Sequence, residues 1–187
     1  MASFGKYPQK IQSVAAEADV MGFVTCNPIT LLNFDSFKNK ICTLLAGYLA
    51  EVEVFGFEQV SEGASSDITE ATELSMTAFK EFGFSGTLLR TTPTSDDYEN
   101  YYHHVAPAEE LALEFIKKSQ IEVAQILKQD RRLLIQMSRL LADHTSLDNK
   151  EIGDLVAKFG SDALQTALST NSMGYRERLH SLEFATE

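Results

Sequence analysis

Two stretches of this chain place apolar residues at steps of three and four, the spacing of a helix that buries one face. In the first stretch these positions are Phe37, Ile41, Leu44, Leu45, Tyr48, Leu49 and Val52. They predict a helix that begins at Asn33 or Asp35 and ends near Gly56. In the second stretch the apolar positions are Ile68, Ala71, Leu74, Met76 and Phe79. They predict a helix that begins at residues 65–67, whose side chains can cap its first turn, and that ends at Gly83.

The N-terminal residues predict a small β-hairpin over residues 10–25. KIQSVA and MGFVT are short β-prone runs, and a polar turn separates them. Residues 85–106 change character, because they are rich in Thr, Ser, Pro and Asp and carry three tyrosines without helical periodicity. We therefore expect a loop there.

Residues 107–187 predict C-terminal helices. Pro107 suits a first helical turn, and the apolar pattern that follows predicts two helices or one long bent helix. Asp148 and Glu151 have the spacing of a capping box, which opens a helix that Gly160 ends. One or two short helices follow over residues 161–187. The fold class is therefore mainly α: a helical bundle with a small N-terminal β-hairpin, in a single domain over residues 1–187.

Charge and cysteine content limit the classes of partner and compartment. The net charge is −11, which argues against binding nucleic acid or an anionic membrane surface. The two cysteines, Cys26 and Cys42, form neither a CxxC pair nor a disulfide framework, so a reducing, cytoplasmic setting is expected. No apolar run approaches the roughly 18 residues that span a bilayer, so direct membrane insertion is not expected.

Four segments together resemble the protease domain of the FtsH-type ATP-dependent zinc metalloproteases. SEGASSDITEAT, over residues 61–72, carries the Gly-Ala-Ser-x-Asp motif and is the most specific of them. LLAGYLAEVEVFG is similar to the helix that precedes this motif in the family, and QKIQSVAAEADVMGFV is similar to its hairpin. LLIQMSRLLADHTSLDNKEI resembles the family's C-terminal helix and turn. The resemblance implies the family's helical bundle, with the acidic motif inside residues 33–84.

The resemblance also implies a zinc ligand at Asp67. In the family, a catalytic zinc is held by this Asp and by the two His of a helical His-Glu-x-x-His motif, whose Glu is the general base. No His-Glu-x-x-His occurs in the 187 residues. The helix that carries it would have to precede residue 10. Asp67 also has a purely structural interpretation, as a first-turn acid that the helix dipole favours.

The four histidines do not replace the missing motif in an obvious way. His103 and His104 are adjacent, and adjacent side chains point to different sides of a helix or strand, so only one would aim at a metal shared with Asp67. His144 and His180 stand alone in polar contexts typical of surface or capping residues. We expect no cofactor as the chain stands, and zinc only if the site is completed or remodelled.

Other departures from the family pattern remove polar groups near the site. Tyr48 replaces an Arg, Val52 replaces a Glu and Glu62 replaces a Thr. There is also no GxxxxGK[ST] loop, so this polypeptide lacks an ATPase module. Glu51 is interpreted as a solvated or capping charge and not as a catalytic group.

Two functional hypotheses follow. The first is a degenerate FtsH-like zinc metalloprotease domain, proteolytically inactive as this chain stands, with a binding or assembly role that involves protein partners or self-association. The alternative is a fragment or a partner-dependent subunit of an ATP-dependent zinc metalloendopeptidase. In that case another chain or segment supplies the His-Glu-x-x-His helix and the ATPase ring.

Overall fold

A computed structural model describes residues 10–13, 22–25, 33–86 and 98–169. These residues are mainly α-helical, as the sequence predicts. The strands are β1 (Lys10–Ser13), β2 (Gly22–Thr25) and β3 (Ser146–Asp148). The helices are α1 (Phe34–Phe55), α2 (Ser65–Glu81), α3 (Tyr98–Gln129), α4 (Arg131–His144), α5 (Asn149–Phe159) and α6 (Asp162–Ser169), and two short 3₁₀ turns cover Phe57–Gln59 and Glu62–Ala64.

The chain divides into two compact units. Residues 28–131 form the helical unit, which contains α1, α2 and α3. Residues 1–27 and 132–187 form the sheet unit, which contains the three strands and α4 to α6. That both units belong to a single domain stays a prediction.

Helix α1 begins and ends where its sequence predicts. Asn33 Oδ1 accepts a hydrogen bond from the Ser36 backbone N–H at 2.8 Å, and Ser36 Oγ accepts one from the Asn33 N–H at 2.8 Å. This reciprocal capping box satisfies N–H groups that the first helical turn leaves free. Gly56 follows the last residue with a φ of 85°, a left-handed conformation that ends the helix without a Cβ penalty.

Aromatic rings form the centre of the helical unit. Phe37 of α1 is fully buried, and its ring centroid lies 4.9 Å from Phe115 of α3, 5.3 Å from Phe84 and 6.2 Å from Phe79 of α2. Rings at these separations gain more than the burial of their area alone. Small residues of α2 and α3 complete this core: Ala71, Ser75, Ala78, Ala108 and Ala112.

Two sequence expectations in this unit are wrong. Helix α3 begins at Tyr98 and not at Pro107, so the expected loop over residues 85–106 is helical from residue 98, and residues 87–97 lie outside the described part. Extending an existing helix fixes one residue for each hydrogen bond gained, so a helix anchored by packing from Ala108 onward can grow past its patterned part. Helix α2 ends where expected, because Glu81 is its last residue, Phe82 is its cap and Gly83 follows with a φ of 72°. Ile68 of α2 remains 39% exposed instead of lying in the core.

The sheet unit joins the two ends of the described chain. Its strand order is β2-β1-β3, with both pairs antiparallel, and Lys10 pairs with Thr25 on one side and with Asp148 on the other. Residues 14–21, which hold the turn of the expected hairpin, lie outside the described part. Strand β3 has only three residues and was not expected from the sequence.

An aliphatic core supports this sheet. Leu147 of β3 and Ile152 of α5 are almost fully buried, and Leu133, Val156 and Leu164 lie in the same cluster. The expected capping box is present: Asp148 Oδ1 accepts from the Glu151 N–H at 2.8 Å, and Glu151 Oε2 accepts from the Asp148 N–H at 2.9 Å. Gly160 follows α5, where an added Cβ would stand 2.6 Å from the Val156 carbonyl oxygen.

None of the helices in the described ranges is both long enough and apolar enough to cross a bilayer.

Candidate functional site

Asp67, the residue implied as a zinc ligand, lies in the first turn of α2 and is half-buried. Burial raises the pKa of its carboxyl above the ordinary value, and the negative charge of Glu70 raises that pKa further. Glu70 itself pairs with Lys40 of α1, whose Nζ lies 2.5 Å from Glu70 Oε1. Asp67 therefore has an acidic neighbour that already has a cationic partner.

A carboxylate of α1 holds the loop that leads to Asp67. Glu51 Oε2 accepts a hydrogen bond from the Ser61 backbone N–H at 2.7 Å, and Glu51 Oε1 accepts one from the Ser61 hydroxyl at 3.0 Å. Ser61 Oγ in turn accepts from the Gly63 N–H at 3.3 Å, and Ala64 is buried at the start of α2. These contacts fix the path of the Gly-Ala-Ser-x-Asp segment.

The partnership between Glu51 and Ser61 was missed at the sequence level, although Glu51 was expected to cap or to be solvated. Glu51 lies near the C-terminal end of α1, where the helix dipole disfavours a negative charge. A carboxylate at such a position is stabilised by a nearby hydrogen-bond donor. The position of Glu51 near the end of α1 could therefore have indicated a contact with the loop that follows. The structure assigns it a positioning role for the loop before α2.

The N-terminus of α2 differs from the sequence expectation. The side chains of residues 65–67 were expected to cap this helix, but Ala64 occupies the cap position and no side-chain hydrogen bond is made there. Ser61, the first residue of the motif segment, caps the preceding 3₁₀ turn instead. The reason is that this turn runs directly into α2, so Ser65 and its neighbours are already helical.

Of the four histidine side chains, that of His144 is the one that belongs to the described part of the structure. His103 and His104 belong to the N-terminal part of α3, and their side chains lie outside the described residues, as does all of His180. His144 is exposed at the end of α4, with Nδ1 at 3.6 Å from Glu151 Oε1. The histidines thus add no described metal donor beside Asp67.

The side chains that the structure describes do not supply a complete set of metal ligands. Among the side chains that the structure describes, no group of three or more His, Cys, Asp or Glu could hold a metal ion. A catalytic zinc takes three protein ligands and keeps a fourth position for water. The described residues around Asp67 therefore do not fit a catalytic zinc. The role of Asp67 as a metal ligand stays a prediction that rests on the resemblance.

Cys42, on the buried face of α1, does not form a second reactive site. Burial raises the pKa of its thiol, and the carboxylate of Glu122 raises that pKa further, while a hydrogen bond with Ser119 opposes the change. A buried thiol with a raised pKa carries little of the reactive thiolate. Cys42 is thus a packing residue of the helical unit. Cys26 lies outside the described residues.

Comparison with known proteins gives a consistent result. A family model described as Peptidase family M41 matches residues 10–155. The chain is 27% identical over 142 residues to the ATP-dependent zinc metalloprotease FtsH of Chloroflexus aggregans, covering 70% of this chain and 22% of that protein. It is 25% identical over 138 residues to the FtsH of Caulobacter vibrioides, covering 67% of this chain and 22% of that protein. The chain thus spans about a fifth of the length of these curated relatives.

Proposed function

Because this chain belongs to peptidase family M41, with a family match over residues 10–155, we propose that it is a degenerate FtsH-like protease domain. As it stands, it does not hydrolyse peptide bonds, and it keeps a binding or assembly role with protein partners. The activity of the full-length relatives, which include much more sequence than this chain matches, is not assumed for it.

The observation that carries this proposal is that Asp67 is present without the other ligands of a catalytic zinc among the described side chains. The acidic motif keeps its place at the start of α2, and its loop is held by Glu51 and Ser61. The sequence has no His-Glu-x-x-His, and the acid that perturbs Asp67 is paired with Lys40. Zinc-dependent hydrolysis needs three ligands and a base that activates water. A lone carboxylate supplies one ligand only.

A retained fold supports the binding role. The Phe37 cluster and the Leu147 cluster both have buried, mutually packed side chains. The net charge of −11 favours protein partners that present basic surface over nucleic acid.

The test measures metal and activity on the same preparation. The protein is purified without chelators, its zinc content is determined by elemental analysis, and cleavage of fluorescein-labelled casein is followed with and without added zinc. We expect no stoichiometric zinc and no cleavage. Asp67→Ala and its control Glu73→Ala, an exposed acid on the same helix, should behave as the unmodified chain does. Stoichiometric zinc that Asp67→Ala alone removes, together with zinc-dependent cleavage, would overturn the proposal.

One observation favours a second candidate function, a partner-dependent subunit of an ATP-dependent zinc metalloendopeptidase. The loop and the residue that the family uses for zinc are both kept, while the chain spans 22% of two of its relatives. In this case a partner supplies the His-Glu-x-x-His helix and the ATPase. A neighbouring reading frame that encodes both motifs, and whose product gains casein-cleaving activity only with this chain and not with Asp67→Ala, would support it.

A further inference from the structure

Two phenylalanine side chains, separated by one residue in sequence, are exposed where α1 ends and the loop before α2 begins. Phe55 is 65% exposed and Phe57 is 70% exposed. Two exposed acids, Glu58 and Glu62, belong to the same short segment. We call these four residues the acidic aromatic corner. Exposed apolar side chains are ordinary when single, but two exposed aromatic side chains within one short segment are typical of binding surfaces.

Backbone hydrogen bonds hold the corner in this exposed form. The left-handed Gly56 turns the chain after Phe55, and its N–H donates to the Val52 carbonyl at 3.0 Å. The Gln59 N–H then donates to the Gly56 carbonyl at 3.1 Å, which forms the turn that carries Phe57. The bonds from Ser61 to Glu51 close the segment against α1. The two rings are therefore presented by an ordered loop and not by a fraying helix end.

The charge around the corner has one sign. Residues 51–79 contain seven acids and no Lys or Arg. Three of these acids are engaged: Glu53 with Arg131 at 3.2 Å, Glu70 with Lys40 at 2.5 Å, and Glu51 with Ser61. Glu58 and Glu62 form no ion pair among the residues that the structure describes, so their charge is available to a partner.

The exposed rings and acids of the corner together favour a partner that is both apolar and positively charged. A nucleic acid or an anionic bilayer would meet repulsion from Glu58 and Glu62. A second copy that placed its corner on this one would oppose like charges, in a chain of net charge −11. A basic peptide with apolar side chains would cover both rings and neutralise both acids.

We propose that the acidic aromatic corner binds a segment of a partner protein in which apolar side chains alternate with Lys or Arg. The inference gives a surface and a partner chemistry to the binding role proposed above, and rests on it. The rings supply the apolar area, and the acids set the sign of the charge and the steering of the encounter.

The test uses defined peptides and the full chain. A fluorescein-labelled peptide of alternating Leu and Lys is titrated with the protein by fluorescence anisotropy, beside one version with Glu in place of Lys and one with Ser in place of Leu. We expect binding of the Leu-Lys peptide at least ~10-fold tighter than of either variant peptide. Its affinity should fall as salt is raised.

Variants locate the binding site. Phe55→Ser with Phe57→Ser should weaken binding of the Leu-Lys peptide by at least ~10-fold. Glu58→Gln with Glu62→Gln should weaken it by roughly 3-fold or more and reduce its salt dependence. Because all four side chains are exposed, circular dichroism and thermal unfolding should match the unmodified protein.

Matched controls lie elsewhere on the helical unit. Ile121→Ser replaces an apolar side chain that is 61% exposed on α3, and Glu110→Gln replaces an exposed acid of the same helix. Both should bind the Leu-Lys peptide as the unmodified protein does. Equal binding by the corner variants, or equal loss in the controls, would overturn the assignment.

Three further outcomes are decisive. Tighter binding to anionic phosphatidylserine vesicles than to the peptide would overturn the choice of partner. Self-association of the unmodified chain that the Phe55→Ser/Phe57→Ser variant abolishes, measured by sedimentation equilibrium, would replace the partner segment with a second copy. Casein cleavage with intact corner binding would overturn the proposed inactivity and leave the corner assignment standing.

Discussion

The two compact units of this chain differ in the side chains that form their cores and in whether their residues are contiguous in sequence. The helical unit is contiguous, and in its core the ring of Phe37 packs against the rings of Phe79, Phe84 and Phe115. The sheet unit combines strands near the N-terminus with residues after 131, and its core is aliphatic, around Leu147 and Ile152. Both carry one capping box, at Asn33 and at Asp148.

The two units therefore depend on different contacts for their stability. The helical unit is one uninterrupted stretch, residues 28–131, and its core joins helices within that stretch, as in the contact between Phe37 and Phe115. The sheet unit depends on β1 pairing with β3, and these strands come from opposite ends of the described chain. The residues that carry the family's acidic motif all belong to the contiguous unit.

The largest effect is expected from Phe37→Ala. The side chain is fully buried among three rings, and its removal leaves a cavity that costs about 3–5 kcal/mol. Native-state hydrogen exchange should show the loss of protection in α1 and α2, with less change in α5. Phe57→Ala, at a 70% exposed position, is the control and should cost less than about 0.5 kcal/mol. Equal loss of protection in both units would show that they open together.

Leu147→Ala should give the reverse pattern, with a cost of about 2–5 kcal/mol. Leu147 is fully buried in the sheet unit, and it pairs with Ile11 across the β1–β3 register. Loss of protection should concentrate in β1, β3 and α5. Leu113→Ala, at a 54% exposed position of α3, is the matched control. The comparison fails if Leu147→Ala affects α1 as strongly as α5.

The capping boxes test the two units with the same chemistry. Asp148→Ala removes the acceptor for the Glu151 N–H and should cost about 1 kcal/mol, measured as lost protection at the start of α5. Asn33→Ala should cost a similar amount at the start of α1. Asp148→Asn keeps an acceptor and should retain most of the stability. An unchanged α5 in Asp148→Ala would show that the sheet alone holds that helix start.

The smallest expected effect concerns the acidic motif. Glu70→Gln removes the charge that raises the Asp67 pKa, so the Asp67 pKa should fall toward its ordinary value while staying above it through burial. Carboxyl carbon chemical shifts in an NMR titration measure this directly, with Glu73→Gln as a control on the same helix. An unchanged Asp67 pKa in Glu70→Gln would contradict the proximity of the two charges.

The sign of the pH effect follows from that shift. A raised pKa means that folded Asp67 binds its proton more tightly than the unfolded chain does. Its contribution to stability is therefore present below the unfolded pKa and is lost as pH rises through the folded pKa. Glu70→Gln should lower the folded pKa of Asp67 toward the unfolded pKa, and so reduce the pH range over which the protonation of Asp67 affects the free energy of unfolding.

Local sequence signals predicted the elements whose determinants are local. Helix α1 follows its apolar spacing from an Asn33 cap to Gly56, and α5 follows its capping box at Asp148. In both cases the residues that decide the boundary lie within a turn of it. The position of Asp67 in the first turn of α2 was available from the acidic motif for the same reason.

The misses have non-local causes. Strand β3 is three residues long, and it is a strand because β1 pairs with it from far away in sequence. Helix α3 extends back to Tyr98 because packing anchors its later part, so apolar periodicity does not mark its start. The contact between Glu51 and Ser61 joins residues on either side of a turn whose geometry depends on the left-handed Gly56.

The pairing of Lys10 with Asp148 also sets an order of events during synthesis. A ribosome releases the chain from its N-terminus, and compact units fold as they emerge. The helical unit has all of its residues once Arg131 is out, while β1 still lacks β3. The first strand to be made must therefore wait for β3, and until then β2 can cover one edge of β1 while the opposite edge stays unpaired.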